Sequence, residues 1–598
     1  MQMQDTPLSA PVRSAIVLLA LLQGLLMYAA LELAADWNIA VRYGWYAWVL
    51  AIPSAIALTL VDLTDRRLWA HAAVGSLLVL APAVWVAWNL QGESGLSTGG
   101  LQAPLSICIG IAVFIMLPWW QFRLQHGHWR ADYGSLFERA WQNGLTLVLA
   151  AAFTGITWML LWLLAGLFSM VQVKLFADLF ATRGFIALAT GCLVGFGVLL
   201  GRTQHRAIQV TRQVLFALCR GLLPLLSLIV LLFVLALPFT GLEPLWATRS
   251  AASLLLVVVL LLVSFVNAVY QHDDARPPYP QWLRWAVQAS LVALPVYAAL
   301  ALVAMSLRIG QYGWTLGRFW GFTVAVIAAG YALGYALAAL RRQGRWLAAL
   351  EPVNRLMCWV VLGAALLTNL PGLDPSRIAT ASQVERLRKA PAEMTASDVR
   401  TLRFDLGRAG VAGLRTLQND PAIAADLRAA SMVKQALASK ERYAPYAGID
   451  EGARDLDGVK AAIMLAKNRP APAADWWQAL LDRDLDAGSC LDGDSDCVAL
   501  RADLDGDGQD EVLLCTAGEY MGAYCRLHVR DADGWKQAGM VNFSGNSTEE
   551  NRRAVRAVRN GELTLSRPRW PAMTSGGVDA RIDEDREYLR GRTGEAEK

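Results

Sequence analysis

The sequence predicts an all-α polytopic membrane bundle, then a short helical segment and a small antiparallel β domain. Three observations carry that expectation. Eleven apolar stretches of roughly twenty residues fill positions 1–371, and about 20 helical residues cross a hydrocarbon core about 30 Å thick. A mean hydropathy of +0.36 with 17% charged residues over 598 positions is too oily for an ordinary soluble chain. Beyond Asp374 the apolar pattern stops, acidic residues concentrate, and short β-like runs alternate with Gly- and Asp-rich turns.

The expected spans are Ser14–Ala34, Gly44–Val61, Leu68–Trp88, Ala103–Trp120, Leu145–Val171, Gly184–Gly201, Leu222–Phe239, Ser250–Tyr270, Ala286–Met305, Trp320–Leu340 and the short Leu356–Leu370. The first has full membrane length and a weakly basic start, Arg13 opposed by Asp5, which reads as a retained anchor and not a cleaved leader. Sixteen Lys and Arg fall on the N-terminal side of these spans and six on the other. Positive loops stay cytoplasmic, so the N-terminus is expected inside and, with an odd number of spans, the tail outside. The expected location is the bacterial inner membrane, with a periplasmic C-terminal domain. A net charge of +4 and the lack of a basic, aromatic-interleaved patch argue against nucleic acid as a partner and leave membrane lipids and an envelope protein.

Within the spans, Gly191, Gly195, Gly197 and Gly201, and Gly330 with Gly334, recur at helical spacing, which suits close helix packing. Acids deep in a span would signal ion-coupled transport; Glu32 sits near a span end, and Asn267 and Gln23 are neutral. His126 and His128 form an H-G-H pair without a thiol or carboxylate cluster beside it, a weak metal signal. The segment around Tyr133, Leu136, Phe137 and Trp141 reads instead as an amphipathic stretch on the membrane surface. Asp62 and Asp65, beside Arg66 and Arg67, read as a topology anchor.

The tail divides into an amphipathic helical segment (372–468), a Pro-rich linker (469–475) and a β-rich domain (476–598). Ser382 with Glu385 reads as a capping box before Leu387, and Val399, Leu402, Phe404 and Leu406 form a helix-period face closed by Gly407 or Gly410. Strands are expected at Cys497–Leu500, Val512–Thr516, Tyr524–Val529 and Trp535–Phe543. Cys490, Cys497, Cys515 and Cys525 lie together here, and such a cluster suits disulfides in an oxidising compartment. A zinc site is the rival reading, but no C-x-x-C pair is present. Cys108, Cys192, Cys219 and Cys358 lie in or beside spans and behave as small hydrophobes.

The sharpest chemical motif follows the first strand of this domain. Asp503, Asp505, Asp507, Gln509 and Glu511 alternate around two glycines, a pattern that can wrap oxygens around one Ca²⁺. An EF-hand would need Glu at the twelfth position, where Leu514 stands, and a helix afterwards. The loop resembles the calcium turns between strands of integrin-type propeller repeats, in this one copy only.

The stretches Tyr133–Phe137 with Ala140–Asn143, Trp162–Phe180, Leu307–Arg318 and Leu402–Arg408 resemble the bacterial family called domain of unknown function 4153. That resemblance spans about Arg13 to Leu417, implies an inner-membrane protein, supplies no activity, and leaves the cysteine-bearing end as an addition. The segment holding Arg308, Tyr312, Trp314, Thr315 and Arg318 is the candidate functional loop; its aromatic and cationic groups suit either a polar headgroup or an interfacial turn. No nucleotide loop, zinc-protease helix or nucleophile elbow is present, so no catalytic residue is expected. The expected role is a non-enzymatic envelope protein that binds, senses or scaffolds. Transport of a lipid-like or small polar substrate is the alternative.

Overall fold

A computed structural model describes residues 8–33, 37–91, 99–243, 251–270, 279–341, 346–440, 442, 456–482, 485–487, 490–491, 496–518, 522–532, 534–545, 547–565, 573–575 and 578–580. The chain forms two compact units, Met1–Pro445 and Tyr446–Lys598.

The first unit is helical. Its long helices are α1 (Ala10–Leu33), α2 (Ile39–Thr59), α3 (Arg66–Asn89), α4 (Gly99–His126), α5 (Tyr133–Met170), the short α6 (Leu175–Ala181), α7 (Arg183–Thr203), α8 (His205–Thr240), α9 (Ala251–Val269), α10 (Gln281–Tyr312), α11 (Leu316–Leu340) and α12 (Leu350–Leu367). Among the described residues, ten are long and apolar enough to cross a membrane. The remaining predicted position, α2, forms a 21-residue helix whose first half carries Arg42, Tyr43, Trp45, Tyr46 and Trp48. At 38 residues, α5 is about 57 Å long at 1.5 Å per residue, so it outruns a single hydrocarbon layer. Leu18 and Leu25 on α1 and Leu228, Leu232 and Leu235 on α8 face outward, an apolar exterior that suits lipid.

Small residues set the closest crossings. A Cβ on Gly191 would lie 2.5 Å from the Ala20 carbonyl oxygen, and one on Gly24 2.3 Å from that of Ala187, so α1 and α7 touch backbone to backbone. On another face of α7, Cβ atoms at Gly197 and Gly201 would strike Ala150 and Thr146 of α5 at 2.6 and 2.7 Å. The predicted glycine row thus serves two partners. Gly334 likewise admits Val353 of α12, where a Cβ would sit 2.5 Å from a valine methyl.

Beyond α12 the chain stays in the first unit as α13 (Pro375–Lys389), α14 (Ala396–Arg400), α15 (Gly407–Gln418), α16 (Pro421–Ala425) and α17 (Leu427–Ala438). The cap expected at Ser382 is elsewhere. Asp374 caps α13 by accepting from Ser376 N–H, with Pro375 at the first helical position, and Ser382 lies in mid-helix. The capping box of this region belongs to Thr395 and Asp398. Val399, Leu402, Phe404 and Leu406 are all buried, with Leu402 and Phe404 inside a widened helical turn over Thr401–Asp405. Gly407, at φ +58°, then turns the chain into α15.

The second unit holds α18 (Leu456–Ala462), β1 (Met464–Leu465), α19 (Ala474–Leu481), β2 (Cys497–Ala502), β3 (Glu511–Gly518), β4 (Gly522–Asp531), β5 (Gly534–Phe543), α20 (Thr548–Asn560) and a small hairpin, β6 (Met573–Ser575) with β7 (Val578–Ala580). The main sheet runs β1-β2-β3-β4-β5. It is mixed and not purely antiparallel, because β1 pairs parallel to β2. All four predicted strands form. One sheet face buries Val512 and Leu514 under Trp476, Trp477 and Leu480 of α19. The other buries Val498, Leu500 and Leu513 under Val555 and Val558 of α20. Coverage on both faces explains why β2 and β3 read as continuous apolar runs. The stretch from Arg469 to Pro472 lies in this unit, and the Arg469 Nε donates to the Gly561 carbonyl at 2.9 Å.

Candidate functional site

The candidate loop joins α10 to α11 at Gly313, whose φ of +71° favours glycine. Helix α13 grips it from the tail. The Trp314 N–H donates to Ser382 Oγ at 2.9 Å, and Gln383 Nε2 donates to the carbonyls of Tyr312 and Trp314 at 3.0 and 2.8 Å. The Arg318 guanidinium donates to the Gly313 carbonyl at 2.8 Å and lies 5.3 Å over the Tyr312 ring, while Thr315 Oγ1 caps α11. Arg308 stands one turn earlier on α10. The grip continues outward, since Arg386 Nε donates to Gln383 Oε1 at 3.0 Å and its guanidinium pairs with Asp398. Ser382 therefore holds a loop instead of starting a helix.

A second tether lies nearby in sequence. The buried Asp374 carboxylate accepts from Trp85 Nε1 at 3.1 Å, Asn89 Nδ2 at 2.9 Å, Ser376 N at 2.9 Å and Ser376 Oγ at 2.6 Å. Arg377 and Arg408 lie over the Trp85 and Trp88 rings at 4.9 and 4.5 Å. These contacts fasten the tail helices to the C-terminal end of α3. None of the three residue types signalled this role, because their partners are almost three hundred positions apart.

Inside the bundle, Asn354 centres a buried polar network. Its Nδ2 donates to the Tyr133 hydroxyl at 3.0 Å and to Asn267 Oδ1 at 2.7 Å, and its Oδ1 accepts from the Tyr335 hydroxyl at 2.7 Å. A cavity of about 320 Å³ opens beside it, bounded by Tyr133, Phe137, Trp141, Asn267 and Cys358. The segment around Tyr133 forms the first turns of α5, where Phe137 and Trp141 pack on Phe216 of α8 at 5.9 and 4.9 Å. A larger cavity of about 690 Å³ lies among the helix ends that carry Arg13, Arg139, Arg202 and Arg206.

Other predicted polar groups act locally. Asp65 caps α3, and Asp62 accepts from the Thr64 amide and hydroxyl at 2.9 and 2.8 Å, bonds that hold its carboxyl below the usual range. The His126 ring stacks on Phe122 at 4.2 Å, and the two H-G-H rings are 6.2 Å apart.

In the second unit, the acidic loop closes the β2–β3 hairpin, with Gly506 and Gly508 at φ +83° and +84°. One oxygen each from Asp503, Asp505 and Glu511 lies within 4.8 Å of the others. Asp507 does not join them; its carboxylate accepts from the Gln509 amide at 2.7 Å and from the Gln509 side chain at 3.3 Å. Burial raises the Glu511 pKa, aided by repulsion from Asp505 and Asp507, while the Leu504 N–H, donating at 2.7 Å, opposes it. Convergent, mutually repelling carboxylates suit a hard cation. The four tail cysteines pair as Cys490–Cys497 and Cys515–Cys525. The first bridge lies in the core under α19, the second in the core under α20.

The family model for a domain of unknown function (DUF4153) matches residues 47–417, more than half of the chain. The chain belongs to this family. Its DUF4153 region runs from α2 to the end of α15, so it takes in the gripped loop, the Asp374 tether and the Asn354 network. The disulfides and the acidic hairpin fall outside it. No curated protein and no solved structure matches the chain.

Proposed function

We propose that this DUF4153 protein is a non-enzymatic protein of the bacterial inner membrane, with a cytoplasmic N-terminus and a periplasmic second unit that binds an envelope partner or senses its compartment. The observation that supports this reading is the pair of disulfides, one in each core of the second unit's sheet. Such bridges persist where thiols are not kept reduced. In this reading α2 crosses together with the ten helices of sufficient length and apolarity, and an odd number of crossings carries the tail outside. The sixteen-to-six distribution of Lys and Arg agrees with that orientation. Asp503, Asp505 and Glu511 then supply oxygen ligands to Ca²⁺, which would tie the hairpin turn to β3.

The test is a pair of C-terminal fusions in a bacterial host. Active alkaline phosphatase and a dark cytoplasmic-type fluorescent protein are expected, with the four tail cysteines resistant to thiol reagents. A fluorescent, phosphatase-negative terminus with reduced thiols overturns the assignment. The second reading, transport of a lipid-like or small polar substrate, draws on the cavity beside Asn354. Deleting residues 446–598 separates the two: loss of the deletion-strain phenotype's complementation favours the binding unit, and full complementation favours transport.

A further inference from the structure

We propose that the cavity of about 690 Å³ in the DUF4153 bundle is a binding site for a phosphate-class oxyanion, either a lipid phosphodiester or a free phosphate. The proposal is independent of the side on which the second unit lies. Six helices end at this cavity: α1, α5 and α8 begin there, and α2, α4 and α7 stop there. Its size suits a headgroup or small ligand, since such pockets commonly enclose about 300–1,000 Å³.

Charge selects the ligand. Four guanidinium groups, from Arg13, Arg139, Arg202 and Arg206, line the cavity against one carboxylate, Glu138. That carboxylate is engaged elsewhere, 3.5 Å from Arg212, which is not among the lining residues. The cavity thus carries an excess of positive charge, four guanidinium groups against one carboxylate. Like charges gathered in a partly desolvated space repel, and an anion placed among them removes that cost.

The arginines are also held for the task. One Arg202 nitrogen donates to the Ala57 carbonyl at 2.8 Å, in the last turn of α2, where carbonyls lack helical partners. That bond fixes the fork and leaves its other N–H groups for a ligand. Arg139 is set by Gln125, which accepts from its Nη2 at 2.7 Å, and by Phe122, 5.8 Å from its guanidinium carbon. Planar guanidinium forks match the paired oxygens of phosphate better than ammonium groups do. The wall between them is rigid, because Gln121 and Asn143 exchange two hydrogen bonds of 3.0 Å across α4 and α5. Arg13 and Arg206, which also line the cavity, are exposed.

The test uses the full chain in an uncharged maltoside detergent and follows its thermal unfolding. One arm titrates sodium phosphate against sodium chloride at equal ionic strength; the other titrates dioleoylphosphatidylglycerol against dioleoylphosphatidylcholine. A saturable rise in melting temperature is expected in at least one anionic arm, with half-saturation raised tenfold or more in Arg139→Gln and in Arg202→Gln. Saturation by inorganic phosphate identifies a free anion, and saturation by phosphatidylglycerol alone identifies a lipid phosphodiester. Should either of these half-buried variants fail to fold, judged by its melting temperature in chloride, the exposed pair Arg13→Gln with Arg206→Gln carries the test, with at least threefold weaker binding expected. No saturable rise in either arm, or an unchanged half-saturation in the folded variants, overturns the proposal.

Discussion

The buried His528 ring is expected to make the stability of the second unit sensitive to acid. The side chain lies in β4 with 0% exposure, and its Nδ1 accepts from the Trp476 indole N–H at 3.1 Å. An accepting Nδ1 requires the neutral ring with its hydrogen on Nε2, which has no partner among the described residues. Burial, reinforced by Arg526 and opposed by Asp486, pushes its pKa down to about 4 from 6.5. Protonation would bury a cation and break the bond to Trp476. Between about pH 4 and 6.5 the unfolded chain therefore binds more protons than the folded one, so stability rises with pH across that window. The contribution is complete above pH 6.5 and is lost as pH falls through about 4. A shift of 2.5 units at 1.36 kcal/mol per unit makes the loss about 3 kcal/mol. Substituting His528→Gln keeps an acceptor for Trp476 and removes the titration. Hydrogen exchange of β3 and β4 in the full chain, corrected for intrinsic rates at each pH, yields the opening free energy. The difference between wild type and variant should move by about 3 kcal/mol from pH 7 to pH 4. A difference constant to within about 1 kcal/mol would refute the argument that the buried ring must stay neutral.

Replacing Cys515 and Cys525 with serine opens a bridge across a separation of 10 residues. Loop-closure entropy then predicts a loss of about 2.5 kcal/mol, read by the same exchange measurement on β3 and β4, and an unchanged protection would refute it. Millimolar calcium should raise the thermal stability of the full chain's second unit, and Asp505→Asn should abolish the gain. A rise that survives the substitution would remove the carboxylate cluster as its cause. Gly191→Val should destabilise the bundle by about 3 kcal/mol or more, since even its Cβ would sit 2.5 Å from a backbone oxygen of α1. Gly155→Val, where a Cβ meets nothing within 4 Å, is the control, and equal melting temperatures in detergent for the two variants would refute the packing account.

The bundle was legible because span length and apolarity are properties of each segment alone. Strands β2 to β5 were legible for the same reason, and so was the presence of a disulfide cluster, though its connectivity waited on the sheet that sets Cys515 opposite Cys525. Helix α20 escaped notice despite complete signals: Ser547 caps it, Glu549 and Glu550 occupy its first turn, and Gly561 ends it in the left-handed conformation. Ser382 shows the reverse error, since a Ser-x-x-Glu spacing also occurs inside a helix, where the hydroxyl served Trp314 instead. The acidic loop was only partly readable. Alternation put five oxygen donors in line, but turn hydrogen bonds drew Asp507 and Gln509 to each other. Arg13, Arg139, Arg202 and Arg206 were visible singly as markers of orientation, and only the packing of six helix ends brings them to one cavity.

The extent of the DUF4153 match constrains where a family-wide activity resides. It stops at residue 417, yet it includes α13, most of α15 and the tethers that bind them to the bundle. Asp374 takes four hydrogen bonds, two from α3 and two from the start of its own helix, so the tail helices are fastened to the membrane unit. Gln383 and Ser382 extend that attachment to the turn at Gly313. The matched region holds the bundle, its cavities and these tethers, and leaves out the disulfides and the acidic hairpin. The hydrogen bonds of the Asn354 network and those that set Arg139 and Arg202 are all made within the first unit, so none of these polar groups draws on the second for them.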